Sequence, residues 1–325
     1  MTTRDLVLQA LRESEASLSG EQLARRLNIS RSAVWKAIGS LQEEGYRIDA
    51  APRRGYRLTD VPDIVSEAEI RRWLTQEVVG CRIEIRAELD STNNLAKKLA
   101  SRGAPHGTIV AAEMQTAGRG RFSRRFYSPP HTGVFMSIIL RPELPAERAA
   151  MITSMAAVAV ARAIELLSGL HPGIKWVNDL LIGGKKCCGI LCEASMGCES
   201  GRLEYVVVGI GVNVGQMSFP PELQEIATSI GNECGAPVSR SRLIAEIVNQ
   251  TAALYGDLET GSFMNENRSR SVVLGKMITV LSGQEPYRAT AEDIDDQGRL
   301  VIVREDGRRE TLNSGEISIR LNKEG

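Results

Sequence analysis

Neither sign of charge prevails in this chain: 40 Lys and Arg face 40 Asp and Glu, so the total points to no partner and only local clusters can. No run of about 18 apolar residues stands out to span a bilayer, so no membrane association is expected. The N-terminal stretch MTTRDLVLQALRESEAS is too charged for a signal peptide, and a cytoplasmic protein is the expectation. Histidine is scarce, and His106, His131 and His171 all lie far in sequence from the crowded Cys187, Cys188, Cys192 and Cys198. That spacing matches no zinc pattern, so no metal site is expected; Cys187, Cys188 and Cys192 read as small apolar residues of a strand and its turn. GxxxxGK followed by Ser or Thr is absent, and GIGVNVG lacks the third-glycine spacing of a dinucleotide fingerprint. A P-loop ATPase and a Rossmann dehydrogenase are thereby excluded. Internal repeats and low-complexity tracts are missing too. The rest is ordinary for a soluble globular protein of two or three domains, with 42% apolar and 25% charged residues.

Residues 1–60 carry the pattern of a winged helix-turn-helix. Leu6, Leu8 and Leu11 suit a first amphipathic helix. SGEQLARRLNIS opens with a capping box, Ser19 and Gln22, and Leu23 and Leu27 supply one apolar face. After a short turn at Asn28 and Ile29, Ser30 caps RSAVWKAIGSLQEEG, with Val34, Ile38 and Leu41 inward and Gly45 at its end. YRIDAAPRRGYRL then forms a wing. Gly20 to Leu58 holds eight basic and four acidic residues. Arg31, Ser32, Trp35 and Lys36 fall off the buried stripe, where a recognition helix meets the major groove, and Arg53 and Arg54 at the wing tip suit phosphates. A merely solvated helix face is the competing explanation, but helix, turn, capped helix and basic wing together favour operator DNA as a partner.

Beyond the short linker TDVPDIVSE, residues 67–270 mix strands and helices. RIEIRAEL, TIVAAEMQ and GVFMSIILRP read as strands, and so do IKWVNDLLI, CCGILCEAS and EYVVVGIGVNV. STNNLAKKLASRG reads as a helix capped by Ser91 or Thr92 with Leu95 and Leu99 inward, and 146–168 as a long, buried, alanine-rich helix. From about 271, short strands with turns at Ser282-Gly283, Gln297-Gly298 and Asp306-Gly307 suggest a small β barrel.

Two stretches carry chemistry. QTAGRGRFSRRFYSPP packs four arginines into seven residues, and no acid follows until Glu143. Glycine permits close backbone approach and arginine offers a planar fork for carboxylate or phosphate, so this loop suits two anions that must be held together. A solvated basic loop and a nonspecific nucleic-acid patch remain open on this stretch alone. In KWVNDLLIGGKKCCGILCE, Lys175, Asn178 and Asp179 close one strand, a two-glycine turn follows, and Lys185 and Lys186 open the next. A lysine there is either solvated or adds a point cation to the arginine loop's field.

Taken together, these motifs resemble a biotin protein ligase of the bifunctional type, with an N-terminal repressor domain. The likeness covers nearly the whole chain: the winged helix-turn-helix, DSTNNLA, QTAGRGR, SP, KWVNDLLI, KKCCGILCE, GIGVNV and GEISIR. It implies an α/β multidomain chain. Residues 1–60 form the winged helix-turn-helix, 67–270 a central α+β catalytic domain of the biotin/lipoate-ligase type with a mixed sheet, and 271–325 a small SH3-like β barrel. It implies that biotin is activated by MgATP as biotinyl-5'-AMP and passed to a lysine of a biotin carboxyl carrier domain of a carboxylase. A homodimer on operator DNA is implied when the adenylate is bound.

By matching motif positions, the resemblance assigns biotin contacts to Ser91, Thr92, Asn93, Gln115, Gly118, Arg119, Gly189 and Leu191. It assigns the adenylate side to Arg121, Phe126, Lys175, Asn178, Asn213 and Arg320, and catalysis to Lys186 and Arg121 with Asp179 beside the incoming lysine. Ser123, Phe126 and Val177 depart from the usual glycine, tryptophan and proline, and none of the three removes a charge. Two alternatives stand beside this one: a DNA-binding biotin sensor without ligase activity, against which Arg119, Arg121 and Lys186 argue, and a lipoate ligase relative, against which the GRGR loop and the N-terminal block argue.

Overall fold

The computed structural model describes residues 2–319 apart from 15, 52–54, 146–147, 197–201, 282–284, 314 and 316. The chain divides into two compact units, Met1–Ile64 and Val65–Gly325.

In the first unit, α1 (Thr3–Arg12), α2 (Gly20–Leu27) and α3 (Arg31–Glu43) each begin behind a hydroxyl residue whose oxygen accepts a first-turn N–H: Thr2, Ser19 and Ser30. The expected box at α2 closes, with Ser19 N–H donating to Gln22 Oε1 at 2.7 Å. Asn28 takes the left-handed conformation that turns α2 into α3. Val7, Leu8, Leu11, Leu23, Val34, Ile38 and Leu41 bury against one another, and Leu6 is half-buried. β1 (Arg47–Ala51) and β2 (Gly55–Asp60) pair antiparallel as the wing, and Leu18 exchanges backbone hydrogen bonds with Tyr56. The wing-tip Arg53 and Arg54 lie outside the described residues.

The second unit begins with α4 (Glu67–Arg71), then runs β3 (Ile83–Leu89), α5 (Thr92–Ala100), β4 (Thr108–Gln115), β5 (Gly133–Leu140), α6 (Ala149–Ser168), β6 (Gly173–Lys175), β7 (Asp179–Ile182), β8 (Lys185–Met196) and β9 (Leu203–Asn213). The strands form one sheet in the order β3-β4-β5-β9-β8-β7-β6, with only the β3–β4 pair parallel among those described. Helix α5 covers β4, β5 and β9, where Ala96 and Ala100 bury more deeply than the expected Leu95 and Leu99. Helices α7 (Ile230–Cys234), α8 (Arg240–Tyr255) and α9 (Met264–Ser269) follow, and α8 lies along α6.

Three expectations need correction. IKWVNDLLI is not one strand: Trp176–Asn178 turn the chain between β6 and β7, which then pair antiparallel. Ser91 stands at the N-cap of α5 but its hydroxyl makes no capping bond. And α6 is long and apolar enough, by length and composition, to cross a membrane, with mean hydropathy 1.7 over its most apolar window. It is nevertheless a core helix, buried without interruption from Met151 to Ala161. Its polar end is held down, since Arg162 pairs with Glu266 and Glu165 with Arg270, both at 2.6 Å.

Strands β10 (Met277–Val280), β11 (Tyr287–Ile294), β12 (Leu300–Arg304), β13 (Arg309–Leu312) and β14 (Ile317–Ile319) form an antiparallel sheet ordered β13-β12-β11-β10-β14. No β13–β14 pairing closes it into a barrel among the described residues. Gly298 and Gly307 take positive φ at two of the three expected turns, and 282–283 lies outside the described residues. This sheet shares one hydrophobic core with the larger one, Ile278, Ala289 and Ile302 joining Met151 and Ile174. Trp176 fastens the two together, its Nε1–H donating to Gly298 O at 3.0 Å.

Candidate active site

A cavity of about 890 Å³ opens where the arginine loop, the N-terminus of α5 and the faces of β7–β9 meet. That is near the upper end of the roughly 300–1,000 Å³ usual for ligand pockets. Fourteen of the residues named from the sequence line it: Ser91, Thr92, Asn93, Gln115, Arg119, Arg121, Phe126, Lys175, Asn178, Asp179, Lys186, Gly189, Leu191 and Asn213. Gly118 does not. A Cβ there would sit 2.6 Å from Phe126 O and 2.7 Å from Ser128 Oγ, so Gly118 lets the loop fold onto its own return. Arg320 is outside the described residues.

At one end, a polar network fixes the entrance to α5. Gln115 Oε1 accepts from Thr92 N–H at 2.8 Å, and Gln115 Nε2 donates to Ser128 Oγ at 3.1 Å. Ser137, a hydroxyl inside the otherwise apolar β5, lies 2.8 Å from Thr92 Oγ1 and 2.7 Å from Asn93 Oδ1. Asn93 Nδ2 donates to Leu191 O at 3.1 Å and to Glu193 Oε2 at 2.9 Å. Both of its N–H donors are thus spent within the protein, which makes Asn93 a strut more than a ligand contact. Ser91 differs: it is buried, it lines the cavity, and its hydroxyl has no hydrogen bond among the described residues. A buried hydroxyl left open to a cavity is suited to a ligand's polar group.

The other end is electrostatic. Among the described residues, seven cationic side chains line the cavity (Arg119, Arg121, Arg124, Arg125, Lys175, Lys186 and Lys276) against two carboxylates, Asp179 and Glu225. Lys186 Nζ lies 2.6 Å from Asp179 Oδ1 without an aligned hydrogen bond. Arg121 Nη1 reaches Asn178 Oδ1 at 3.5 Å, and Asn178 Nδ2 donates to Ile190 O at 3.0 Å. One asparagine therefore ties the loop to β8. Asn213 Nδ2 donates to Thr228 O at 3.0 Å.

Glycines on β8 and β9 make the floor. Gly189 and Gly211 are cross-strand partners, and the Phe126 ring lies on both. A Cβ at Gly211 would meet that ring at 2.7 Å, and one at Gly189 would meet Lys186 Nζ at 3.1 Å. Phe126 also packs edge-on against buried Phe135. Burial pushes the Cys187 thiol up to about 12 and Cys192 to about 11, so both are protonated, inert parts of β8. Cys198 lies outside the described residues.

The chain matches the HTH domain over residues 3–57, the Biotin/lipoate A/B protein ligase family over 85–213, and the Biotin protein ligase C terminal domain over 273–320. It is 39% identical over 309 residues to the bifunctional ligase/repressor BirA of Bacillus subtilis (strain 168), covering 94% of each chain. The chain belongs to the bifunctional biotin ligase/repressor family. A more distant member, the BirA of Escherichia coli (strain K12), is 26% identical over 98% of both chains. Among solved structures, the biotin protein ligase from Aquifex aeolicus in complex with biotin and ATP superposes with a TM-score of 0.64 at 26% identity, over 74% of this chain and 98% of that one.

For this family member, the sequence left Ser137, Trp176, Glu193, Gly209, Gly211 and Lys276 without a role. Three of these, Ser137, Gly209 and Gly211, had a legible signal. A serine within GVFMSIIL is a polar atom in a buried strand, and alternating glycines in GIG mark a close approach to one sheet face.

Proposed function

We propose that the protein joins biotin to a lysine of a biotin carboxyl carrier domain in two steps, and represses transcription in response to the intermediate. The observation that carries this is the charge of the cavity wall, seven cations to two carboxylates, beside the open hydroxyl of Ser91. Biotin's carboxylate and the phosphates of MgATP repel each other, and a wall of fixed cations lowers the cost of bringing them together.

In the first step a carboxylate oxygen of biotin attacks the α-phosphorus, the bond to the bridging oxygen breaks, and pyrophosphate departs with its Mg2+. Arg121 and Lys186 neutralise the charge that gathers on the phosphoryl oxygens. Ser91 and Thr92 meet the ureido ring, Phe126 offers its face to adenine, and Lys175, Asn178, Asn213 and Arg320 serve the nucleotide side. In the second step the carrier lysine's amine attacks the acyl carbon of the mixed anhydride, AMP leaves, and Asp179 takes the amine proton. The arginine loop excludes water from the anhydride meanwhile.

Repression rests on α3, where Arg31, Ser32, Trp35 and Lys36 are all exposed, Trp35 at 69%. A single recognition helix contacts few base pairs, so tight binding needs a dimer on a palindromic operator, formed when the adenylate is bound. ATP and genomic DNA are both met in the cytoplasm, where we expect the protein to work.

The test is a mass spectrum of an apo carrier domain incubated with biotin, MgATP and this protein, with Lys186→Ala run beside it. A biotin-sized gain with the unmutated protein alone supports both the ligase and the role of Lys186. A gain with both removes Lys186 from the chemistry, and no gain with either, while biotin still binds, leaves a sensor.

A further inference from the structure

Glu193 has no part in the proposed reaction, yet three side chains, two from α5 and one from the arginine loop, converge on its carboxylate. Its Oε2 accepts from Asn93 Nδ2 at 2.9 Å and its Oε1 from Lys97 Nζ at 2.7 Å. Arg119 Nη1 lies 3.7 Å from the same Oε1. The side chain is 24% exposed, set on β8 between α5 and the arginine loop. Burial pushes its pKa up, but hydrogen bonds from Lys97 and Asn93 and the charges of Lys97 and Arg119 outweigh that and hold it below the usual glutamate range. It is an anion at neutral pH.

Its contacts are unequal in a way that matters. Lys97 takes the short, charge-assisted bond, while Arg119 is left beyond hydrogen-bond reach. A guanidinium carries five N–H donors. Among the described residues the side chain of Arg119 engages Asn94 Oδ1 at 3.3 Å and no second acceptor. The loop arginine is therefore steered by the carboxylate's field without being consumed by it. Without Lys97, the carboxylate would draw Arg119 into a direct pair and compete with any anion entering the cavity.

We infer that Glu193, with Lys97 as its counter-ion, is a positioning residue that locks Asn93 and aims Arg119 at the anionic end of the ligand. This rests on the ligase reading above. The competing account is that the Lys97–Glu193 pair only pins α5 to the sheet.

Biotin-dependent release of pyrophosphate from MgATP by the full-length protein separates the two. Glu193→Gln keeps an acceptor for Asn93 and removes the charge; it raises the biotin KM about tenfold with kcat changed less than about twofold. Lys97→Met raises KM further, and adding Glu193→Gln to it brings KM back to the Glu193→Gln value. In an Arg119→Gln background, Glu193→Gln has no additional effect. An unchanged KM for Glu193→Gln overturns the inference, as does a tenfold loss that persists in the Arg119→Gln background. Lower thermal stability with an unchanged KM assigns the pair to the fold and overturns it equally. An unmutated protein that releases no pyrophosphate overturns the ligase reading itself, which an active protein indifferent to Glu193→Gln does not.

Discussion

Adding one methyl group at Gly209 tests the packing of the site more sharply than removing any charged group. A Cβ at Gly209 would stand 2.1 Å from Asn93 Oδ1, 2.7 Å from Cγ and 2.8 Å from Nδ2. Carbon and oxygen do not approach closer than about 3.3 Å without repulsion, so Asn93 must retreat by about an ångström. It has no room, because Ser137, Leu191 O and Glu193 hold its amide on every polar atom. Overpacking of this kind costs about 1–3 kcal/mol. Losing two or three hydrogen bonds at about 1 kcal/mol each brings the expected cost to roughly 3–6 kcal/mol. For a unit of this size that lowers the melting temperature by about 6–15 °C. Biotin affinity falls at least about tenfold, because Thr92 shares Ser137 with Asn93.

The assay is a double-mutant cycle, following thermal unfolding and calorimetric biotin binding for Gly209→Ala, Asn93→Ala and the pair. Asn93→Ala destabilises by stranding Ser137 and Glu193. Once the asparagine is gone the new methyl has space, so Gly209→Ala costs less than about 1 kcal/mol in that background. Strictly additive effects, or a Gly209→Ala protein as stable as the parent, would refute the reasoning.

Three further outcomes are expected. Trp35→Ala leaves biotinylation unchanged but weakens operator binding about tenfold or more in a gel-shift titration at fixed salt, since the ring is exposed on α3 and no core contact is lost. Glu113→Ala removes a carboxylate partner of Arg240, which is 1% exposed, and destabilises the protein by about 3–5 kcal/mol in denaturant titration. Glu266 has its pKa raised by burial but lowered more by hydrogen bonds from Arg162 and Arg270, so its folded value lies below the ordinary 4.5. The stability it contributes is present above pH 4.5 and lost as pH falls through the folded value. Glu266→Gln should therefore melt lower than the parent at pH 7, with the gap shrinking toward pH 3.

Local chemistry made much of the fold readable. Ser19 with Gln22, Ser30 before the recognition helix, and the glycines at the β11–β12 and β12–β13 turns all act through their nearest neighbours in sequence, and each stands where those neighbours require. What failed was non-local. KWVNDLLI looks like one strand because nothing in the string says that Trp176 must reach Gly298. Leu95 and Leu99 outrank alanine as core formers, yet α5 lies so close to the sheet that Ala96 and Ala100 take the buried places. At the site, Arg121 and Lys186 were singled out by motif position, and both line the cavity. Glu193 was not, because its importance lies in partners, Asn93 and Lys97, that stand 100 and 96 positions away.

The composition of α6 also bears on how the protein is made. Its buried faces are covered by β8, β9 and α8, all of which follow it in the chain. Translation must reach Tyr255 before α8 is complete, and at about 5–20 residues per second that takes roughly 5–20 s after Ser168 emerges. For that interval a nascent segment apolar enough to enter a bilayer lacks the covering of α8. A cell short of cotranslational chaperones should lose this protein to aggregates or to stray membrane insertion at the stage when α6 is out of the ribosome and α8 is not.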